Sequence, residues 1–223
     1  IPAPRTWIFW SKAAAIRFCR TAKYPLVVKL TSGIQSNNVK LLQSFDEARD
    51  LIDLLFGGGL VSLQRQSLIK RLVRHRLQAA RLILGKPLPD EIQHGYLYVQ
   101  EFLAGNEFDT RVTVIGNRAL AFRRFNRPGD FRASGSGRID WDPAQVDRET
   151  VELAFRIADR LKTHSLAIDG LRRGDERVVG EISYTYAAWA VRDCPGHWVR
   201  DSSGGAGELA WVEGSLRPED AIF

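Results

Sequence analysis

The sequence predicts an α+β fold in which helices and antiparallel hairpins follow one another in mixed order. Apolar residues recur at helical spacing over residues 11–22, 45–56 and 147–162, and β-rich runs bounded by turn residues lie between these stretches. No strand–helix–strand repeat runs through the chain, which argues against a doubly wound parallel sheet. With 223 residues, of which 44% are hydrophobic, the chain is long enough for one large domain or two small lobes.

The first lobe is expected over residues 1–95. Strands are predicted at 25–30 and 39–43, because short apolar runs there flank a polar turn. Ser44 stands three residues before Glu47, which is the spacing of a capping box, at the start of the second helix.

A basic segment over residues 65–89 interrupts the first lobe. It carries seven lysines and arginines and no acidic residue, which exceeds the net charge of +6 of the whole chain. The rest of the chain is therefore close to neutral, and binding to nucleic acid is not expected. A helix is predicted over 67–84, and its basic face has three interpretations: a solvated surface, a peripheral contact with anionic lipid, and a site for a polyanionic glycan.

The second lobe is expected over residues 96–223. Gly116-Asn117 is typical of a tight turn between two strands, and residues 127–142 are predicted to form a loop. Strands are predicted at 96–103, 110–115, 119–125, 166–171 and 177–183.

Several classes of protein are disfavoured by composition. Cys19 and Cys194 are too few for a disulfide scaffold or a zinc cage, so a reducing, cytoplasmic setting is the default expectation. No apolar run reaches the ~18–20 residues of a membrane span. The sequence shows no Ser-His-Asp or Cys-His arrangement, so catalysis through a covalent protein nucleophile is not expected.

Two carboxylates and a hydroxyl on neighbouring strands suggest a site for a hard cation. Glu181 and Ser183 are two residues apart on one strand and therefore share a face, and the hairpin before them brings Asp169 towards that face. Such an oxygen set suits Mg²⁺. A salt bridge from these carboxylates to Arg123 or Arg132 is the alternative.

Two features of the first hairpin suit a phosphate group. Lys29 closes an apolar strand, and the turn that follows contains Gly33 and Ser36, whose backbone N–H groups are able to cradle an anion. An ordinary lysine with a buried stem and a plain hairpin turn are the alternatives.

Charged residues alternate in sign along the strands and loop between Asp109 and Arg132. Arginines in such a pattern suit planar carboxylates and phosphates. A lattice of ion pairs is the alternative.

These pieces together resemble an ATP-grasp domain over nearly the whole chain. The segments that carry the resemblance, in the order and spacing of the family, are Tyr24–Lys29, Tyr98–Leu103, Asp109–Arg111, Asp130–Ser134, and Asp169 with Glu181–Ser183. They are similar to those of the glutamate ligases that modify ribosomal protein. Two further strings, Asn126–Gly137 and Cys194–Trp198, resemble ATP-grasp proteins of bacterial polysaccharide gene clusters.

The resemblance implies two lobes with a nucleotide held between antiparallel sheets, and ATP and Mg²⁺ as cofactors. It implies Asp169 and Glu181 as metal ligands with Ser183 at the periphery, Arg132 at the γ-phosphoryl group and the acylphosphate, and Arg123 as a second catalytic arginine. The implied nucleotide contacts are Lys29 (phosphates), Gly33 and Ser36 (a turn over the phosphates), Gln100 and Glu101 (adenine) and Asp109 (ribose side).

The implied activity is a ligase that joins a carboxylate to an amine, or to a thiol, through an acylphosphate. The carboxylate is expected to be a small molecule or a glycan, such as a sugar or polysaccharide precursor. A phosphotransferase on the same fold and a non-catalytic nucleotide-binding module are the alternatives.

The chain departs from the family pattern in three respects. Ser183 and Ser134 stand where the family has Asn, and the chain begins without Met, after the expected position of the first nucleotide lysine. We therefore expect a fragment that lacks an upstream substrate lobe and need not be active by itself. A cytoplasmic location is expected, with contact of residues 65–89 with the inner membrane as a further hypothesis.

Overall fold

A computed structural model describes four stretches of the chain, residues 1–31, 38–63, 92–201 and 208–222. The chain divides into two compact units: the first unit is Arg5–Phe102, and the second unit is Leu103–Phe223 together with Ile1–Pro4. Both contain antiparallel sheets with helices packed on them, so the predicted α+β class is confirmed.

The first unit is a four-stranded antiparallel sheet with two helices packed on one face. Alternate residues such as Val28, Leu97 and Val99 point towards those helices and are fully buried. The sheet order is β1-β4-β2-β3. The elements are β1 Thr6–Phe9, α1 Lys12–Thr21, β2 Leu26–Lys29, β3 Val39–Leu42, α2 Phe45–Phe56 and β4 Leu97–Glu101.

One half of the predicted capping box at the start of α2 is confirmed. The hydroxyl of Ser44 accepts from the backbone N–H of Glu47 at 3.3 Å, and the carboxylate of Glu47 accepts from the N–H of Gln43 at 3.1 Å. The first bond satisfies an N–H group that has no intrahelical acceptor, whereas the carboxylate of Glu47 binds the residue before the N-cap and not the N–H of Ser44.

Strand β4 belongs to the first unit, whereas the sequence analysis had started the second lobe at residue 96. It lies between β1 and β2 and pairs with both, and the N–H of Glu101 donates to the carbonyl of Arg5 at 2.9 Å. Strand β1 was not predicted, and without it β4 would have lacked a partner on one side. The first unit therefore extends to Phe102.

The second unit contains a seven-stranded sheet in the order β11-β10-β6-β5-β8-β9, with β7 beside β6. Helix α3 covers one face, where Phe155 and Ile157 pack against Val112 and Ile168. The elements are β5 Phe108–Ile115, β6 Arg118–Phe125, β7 Ile139–Asp140, α3 Arg148–Leu161, β8 Ser165–Arg173, β9 Glu176–Ser183, α4 Ala188–Arg192, β10 Gly196–Arg200 and β11 Leu209–Glu213.

The opposite face of this second sheet is divided along its length. At one end Ile115, Leu120 and Phe122 form a core with Ala190 and Val191 of α4. The other end carries charged side chains, which form the candidate site described below.

The first four residues of the chain lie on the second unit. The N–H of Val179 donates to the carbonyl of Pro2 at 2.9 Å, and the guanidinium of Arg173 donates to the carbonyl of Ala3 at 2.7 Å. Residues 1–4 therefore run along the outer edge of β9, the edge that faces away from β8.

Some elements differ from the sequence prediction, and one predicted helix cannot be compared with the structure. Strand β7 lies within the loop predicted over 127–142, and α4, β10 and β11 were not predicted. The helix predicted over 67–84 lies outside the described residues. No helix among the described residues is long and apolar enough to cross a membrane.

We expect Ile52→Ala in α2 to lower the free energy of unfolding of the first unit by about 2–5 kcal/mol, because Ile52 is fully buried and its truncation leaves a cavity. Native-state hydrogen exchange of the amides in β2 and β4 measures this unit by itself. Asp50→Ala, at an exposed position of the same helix, is the matched control and should change the free energy by less than about 0.5 kcal/mol. An equal loss of protection in both variants would contradict the assignment of Ile52 to the core.

Candidate active site

The register of the β8–β9 hairpin brings the predicted metal ligands together. Asp169 lies directly opposite Glu181, and Ala167 lies opposite Ser183. Directly opposed residues of an antiparallel pair point to the same face, and so do residues two apart on one strand. Asp169, Glu181 and Ser183 therefore share the face of the second sheet that α3 does not cover.

A one-residue bulge at Gly180 is the reason that Glu181 points to this face. From the turn to the pair Gly170–Val179 the register is regular, but the next pair is Asp169–Glu181, so Gly180 has no partner. Without the extra residue Glu181 would lie opposite Ile168 and point towards α3. A side chain at position 180 would meet Leu171 Cδ1 at 2.9 Å, which favours glycine there.

Asp169 is held by two arginines. Arg111, its direct neighbour on β5, donates from Nε to Oδ1 at 2.6 Å and from Nη2 to Oδ2 at 2.7 Å. Arg124 Nη2 lies 2.8 Å from Oδ2 of the same carboxylate. These side chains are only 10–15% exposed. Planar, two-point pairing of this kind is the strong form of an ion pair.

Asp109 completes the group. Arg124 donates from Nε and Nη2 to the two carboxylate oxygens of Asp109, each at 2.7 Å. We call Asp109, Arg111, Arg124 and Asp169 the carboxylate–arginine cluster. Its formal charges cancel, which is what allows four ionisable groups to be buried together.

The two carboxylates of the cluster differ in their affinity for protons. Burial and the charge of Asp169 raise the pKa of Asp109 to about 6, against the hydrogen bonds and charge of Arg124. Burial also acts to raise the pKa of Asp169, but the charges and hydrogen bonds of Arg124 and Arg111 outweigh it and hold that pKa below its ordinary value. Asp169 therefore keeps its negative charge to a lower pH than Asp109 does.

The oxygen atoms of the side chains on this face are of the chemical type that binds a magnesium ion. Asp169 is an ionised carboxylate, Glu181 is exposed, and Ser183 is half-buried on the same face. Mg²⁺ is commonly bound through one or two carboxylates while it keeps several waters. Among the described residues no group of three or more His, Cys, Asp or Glu side chains is arranged to hold a metal, so the set has two carboxylates.

Asp130 holds the guanidinium of Arg132. Its carboxylate accepts from the backbone N–H of Arg132 and from Nε, each at 3.0 Å, and the Asp130 charge raises the pKa of the arginine chiefly through the side-chain hydrogen bond. Arg132 lies in the loop between β6 and β7, where it was expected.

Arg123 lies on the other face of the second sheet. It is opposite Thr110 on the face that α3 covers, its guanidinium pairs with Asp140, and it stacks on the rings of Phe108 and Phe125 at 4.9 and 5.4 Å. The structure does not bring Arg123 together with the carboxylate–arginine cluster. The catalytic role that the resemblance implies for Arg123 stays a prediction.

Lys29 lies on the face of the first sheet that points away from α1 and α2, and it is paired with Tyr98 of β4 and Val39 of β3. Gln100 shares that face, and its side-chain amide donates to Thr6 Oγ1 at 3.0 Å and to the phenol oxygen of Tyr98 at 3.2 Å.

The carboxylate of Glu101 accepts from the backbone N–H of Arg5 at 2.9 Å and from Arg5 Nε at 2.7 Å. Contacts of Gln100 and Glu101 with adenine, and of Asp109 with ribose, stay predictions. Gly33 and Ser36 lie outside the described residues.

Arg111 and Arg124 were not singled out from the sequence as site residues, although a signal was present. The Gly116-Asn117 turn closes the β5–β6 hairpin and fixes its register, which places Arg124 opposite Asp109. Alternation along β5 then places Arg111 on the same face. Counting residues outwards from the turn would have found both arginines.

Comparisons with known proteins agree with this architecture. A family model described as the RimK-like ATP-grasp domain matches residues 66–187, more than half of the chain. No curated protein matches the chain.

Three solved structures illustrate the likeness in fold. An ADP complex of N5-carboxyaminoimidazole ribonucleotide synthetase is 14% identical with a TM-score of 0.54, over 86% of this chain and 44% of that chain. Phosphoribosylamine–glycine ligase from Thermotoga maritima is 16% identical with a TM-score of 0.52, over 84% and 44%. The ATP-grasp ligase PsnB, in complex with a minimal precursor, Mg and ADP, is 17% identical with a TM-score of 0.51, over 87% and 48%. The chain therefore spans about half the length of the solved structures that it matches.

We expect the Asp109 carboxyl group to titrate near pH 6 in the ligand-free chain, as measured from its carboxyl carbon shift by NMR. Because the folded pKa lies above the unfolded value of about 4, the contribution of Asp109 to stability is present below pH ~4 and is lost as the pH rises through about 6. Relative to Asp109→Asn, the free energy of unfolding of the unmodified chain should therefore fall between these pH values. A titration of Asp109 at about pH 4 would contradict the prediction.

Proposed function

We propose, since the chain belongs to the RimK-like ATP-grasp family, that it carries the nucleotide- and metal-binding part of an ATP-dependent ligase. The observation that carries the proposal is the register of β8 and β9, in which Asp169 and Glu181 are direct neighbours on a face that also presents two arginines. Carboxylates for a magnesium ion beside arginines for phosphate oxygens are what phosphoryl transfer requires.

The proposed reaction has two steps. In the first, a carboxylate oxygen of the substrate attacks the γ-phosphorus of ATP, the bond to the β-phosphate oxygen breaks, and an acylphosphate and ADP result. In the second, an amine attacks the acyl carbon, loses a proton and displaces phosphate. No protein nucleophile takes part, so the residues of the chain act by binding, orienting and neutralising charge.

Asp169 and Glu181 would hold the magnesium ion, with Ser183 at its periphery. When bound, Mg²⁺ supplies positive charge to the β- and γ-phosphate oxygens. The carboxylate–arginine cluster supports this assignment because Arg124 has Asp109 as a second carboxylate partner. Asp169 is therefore able to turn towards a cation without leaving Arg124 buried and unpaired.

Arg111 is the arginine that such a turn would release, because its contacts described above are with Asp169. We assign it to a phosphate oxygen of the nucleotide. Lys29 is assigned to the α- and β-phosphates, and Arg132 to the γ-phosphoryl group and the acylphosphate. Asp130, which holds Arg132 in the ligand-free chain, would give up that guanidinium to the incoming phosphate charge.

The substrate carboxylate is proposed to belong to a small molecule, a sugar or glycan precursor, or a peptide. PsnB, which has the same fold, is described in complex with a minimal precursor. An amine is the proposed acceptor, with a thiol as the alternative. Peripheral contact of residues 65–89 with a membrane stays a prediction.

A phosphotransferase on the same fold would use the same nucleotide and metal residues. Product analysis separates the two activities, since a ligase yields ADP, phosphate and an amide, whereas a phosphotransferase yields ADP and a phosphoester. A nucleotide-binding module without activity would bind Mg-ATP and release no ADP.

Mg-ATP at about 100 times its Kd should stabilise the chain by about 2.7 kcal/mol, measured as a thermal shift with and without magnesium. Glu181→Gln should reduce the magnesium-dependent part of this shift, because it removes one anionic ligand. Glu176→Gln, an exposed position on the same strand, is the matched control and should retain the shift. An unmodified chain whose melting temperature is unchanged by Mg-ATP would rule out the proposal.

Arg132→Ala should lower kcat of the active ligase by about 10²- to 10³-fold while changing KM for ATP much less, because the arginine is proposed to act on charge that develops during phosphoryl transfer. Steady-state kinetics at varied ATP concentration measure both. Arg138→Ala, in the same loop, is the control and should leave the ratio of kcat to KM for ATP unchanged. A rise in KM with an unaltered kcat would reassign Arg132 to ground-state binding of phosphate.

A further inference from the structure

A hydrogen-bond network fixes the backbone immediately after Lys29, and two of its three side chains are buried. The N–H of Thr31 donates to the phenol oxygen of Tyr96 at 3.0 Å, and the phenol in turn donates to Gln93 Oε1 at 2.7 Å. The hydroxyl of Thr31 donates to the same Gln93 oxygen. Tyr96 and Gln93 are only 6% and 3% exposed. We call Thr31, Gln93 and Tyr96 the Tyr96 network.

The Tyr96 network continues the hydrogen bonding of β2 beyond the point where its pairing with β4 ends. β2 pairs with β4 as far as Lys29 and Tyr98, and the next N–H on that side of the strand, that of Thr31, is satisfied by a side chain instead of by backbone. On the other side Leu30 donates to the carbonyl of Asn38 at 3.0 Å. The two residues that follow Lys29 are thus held from both neighbouring segments.

The partners of the network are themselves anchored. Gln93 exchanges two backbone hydrogen bonds with Leu60, at 2.9 and 2.7 Å, and the side-chain oxygen of Asn38 accepts from the N–H of Leu63 at 3.1 Å. The ring of Trp10 lies 5.9 Å from that of Tyr96, although Trp10 is 74% exposed. Residues far apart in sequence therefore converge on one polar group beside Lys29.

We propose that Tyr96 and Gln93 are positioning residues for Lys29 in nucleotide binding. This inference rests on the proposed function, in which Lys29 contacts the phosphates. The backbone at Lys29 sets the point and the direction from which its four-carbon stem leaves the strand, so a firmly held backbone limits the positions that the flexible stem can give to the ammonium group. Removal of the phenol oxygen takes away the acceptor of Thr31 and the donor to Gln93 in one substitution.

The test compares Tyr96→Phe with Tyr24→Phe by isothermal titration of the 223-residue chain with Mg-ATP. Tyr24 is a matched control because its phenol also makes a hydrogen bond inside the first unit, to the carbonyl of Cys19 at 2.8 Å. Tyr96→Phe should weaken Mg-ATP binding about fivefold, the equivalent of one neutral hydrogen bond. Tyr24→Phe should leave the affinity unchanged.

A double-mutant cycle with Lys29→Ala separates positioning from a general loss of structure. If Tyr96 acts through Lys29, Tyr96→Phe should cause no further loss in the Lys29→Ala background. Equal losses in both backgrounds, or wild-type affinity of Tyr96→Phe, would overturn the inference. Lys29→Ala with undiminished affinity would overturn the assigned role of Lys29 in the proposed function as well.

Thr31→Val and Thr31→Ser provide a second pair if Tyr96→Phe fails to fold. Valine keeps the shape of threonine but loses the hydroxyl that donates to Gln93, whereas serine keeps the hydroxyl. Thr31→Val should weaken Mg-ATP binding and Thr31→Ser should retain it. Equal affinities of the two variants would count against the network as a positioning device.

Discussion

Strand register in the second sheet is the constraint that decides which side chains meet at the candidate site. Two tight turns, at Gly116-Asn117 and at Gly174-Asp175, set the pairing of β5 with β6 and of β8 with β9. The bulge at Gly180 then shifts the last part of β9 by one residue, so that Glu181 and Asp169 face the same side. Because side chains alternate strictly along a strand, a shift of one residue decides whether a carboxylate points to the open face or to the core.

The carboxylate–arginine cluster shows how this face tolerates buried charge. Two arginines and two aspartates neutralise one another, and Arg124 is shared by both carboxylates. An ion pair of this kind costs desolvation and adds little net stability. Its value under the proposed function is that the charged groups are oriented before a ligand binds, so that Asp169 would exchange one partner for another.

The sequence predicted those parts of the structure that local patterns determine. The cap at Ser44, helices α1 to α3 and the two hairpins each carry a signal within a few residues. Features set by distant contacts could not be predicted from local patterns. They are β1, which pairs with β4, the short helix α4, which packs on the second sheet, and the Tyr96 network. In the candidate site the spacing of Asp169, Glu181 and Ser183 predicted that they share a face, and the register agrees. Arg123 lies on the face that α3 covers, and the positions of Arg111 and Arg124 follow only from the register of a whole hairpin.

The first four residues have a consequence for self-association. β9 is an outer strand of its sheet, and an uncovered strand edge invites another chain to pair with it. Pro2 accepts from Val179 on that edge, and neither Pro2 nor Pro4 has a backbone N–H to donate to a further strand. The segment therefore occupies part of the β9 edge with chain that is itself a poor template for the addition of another strand.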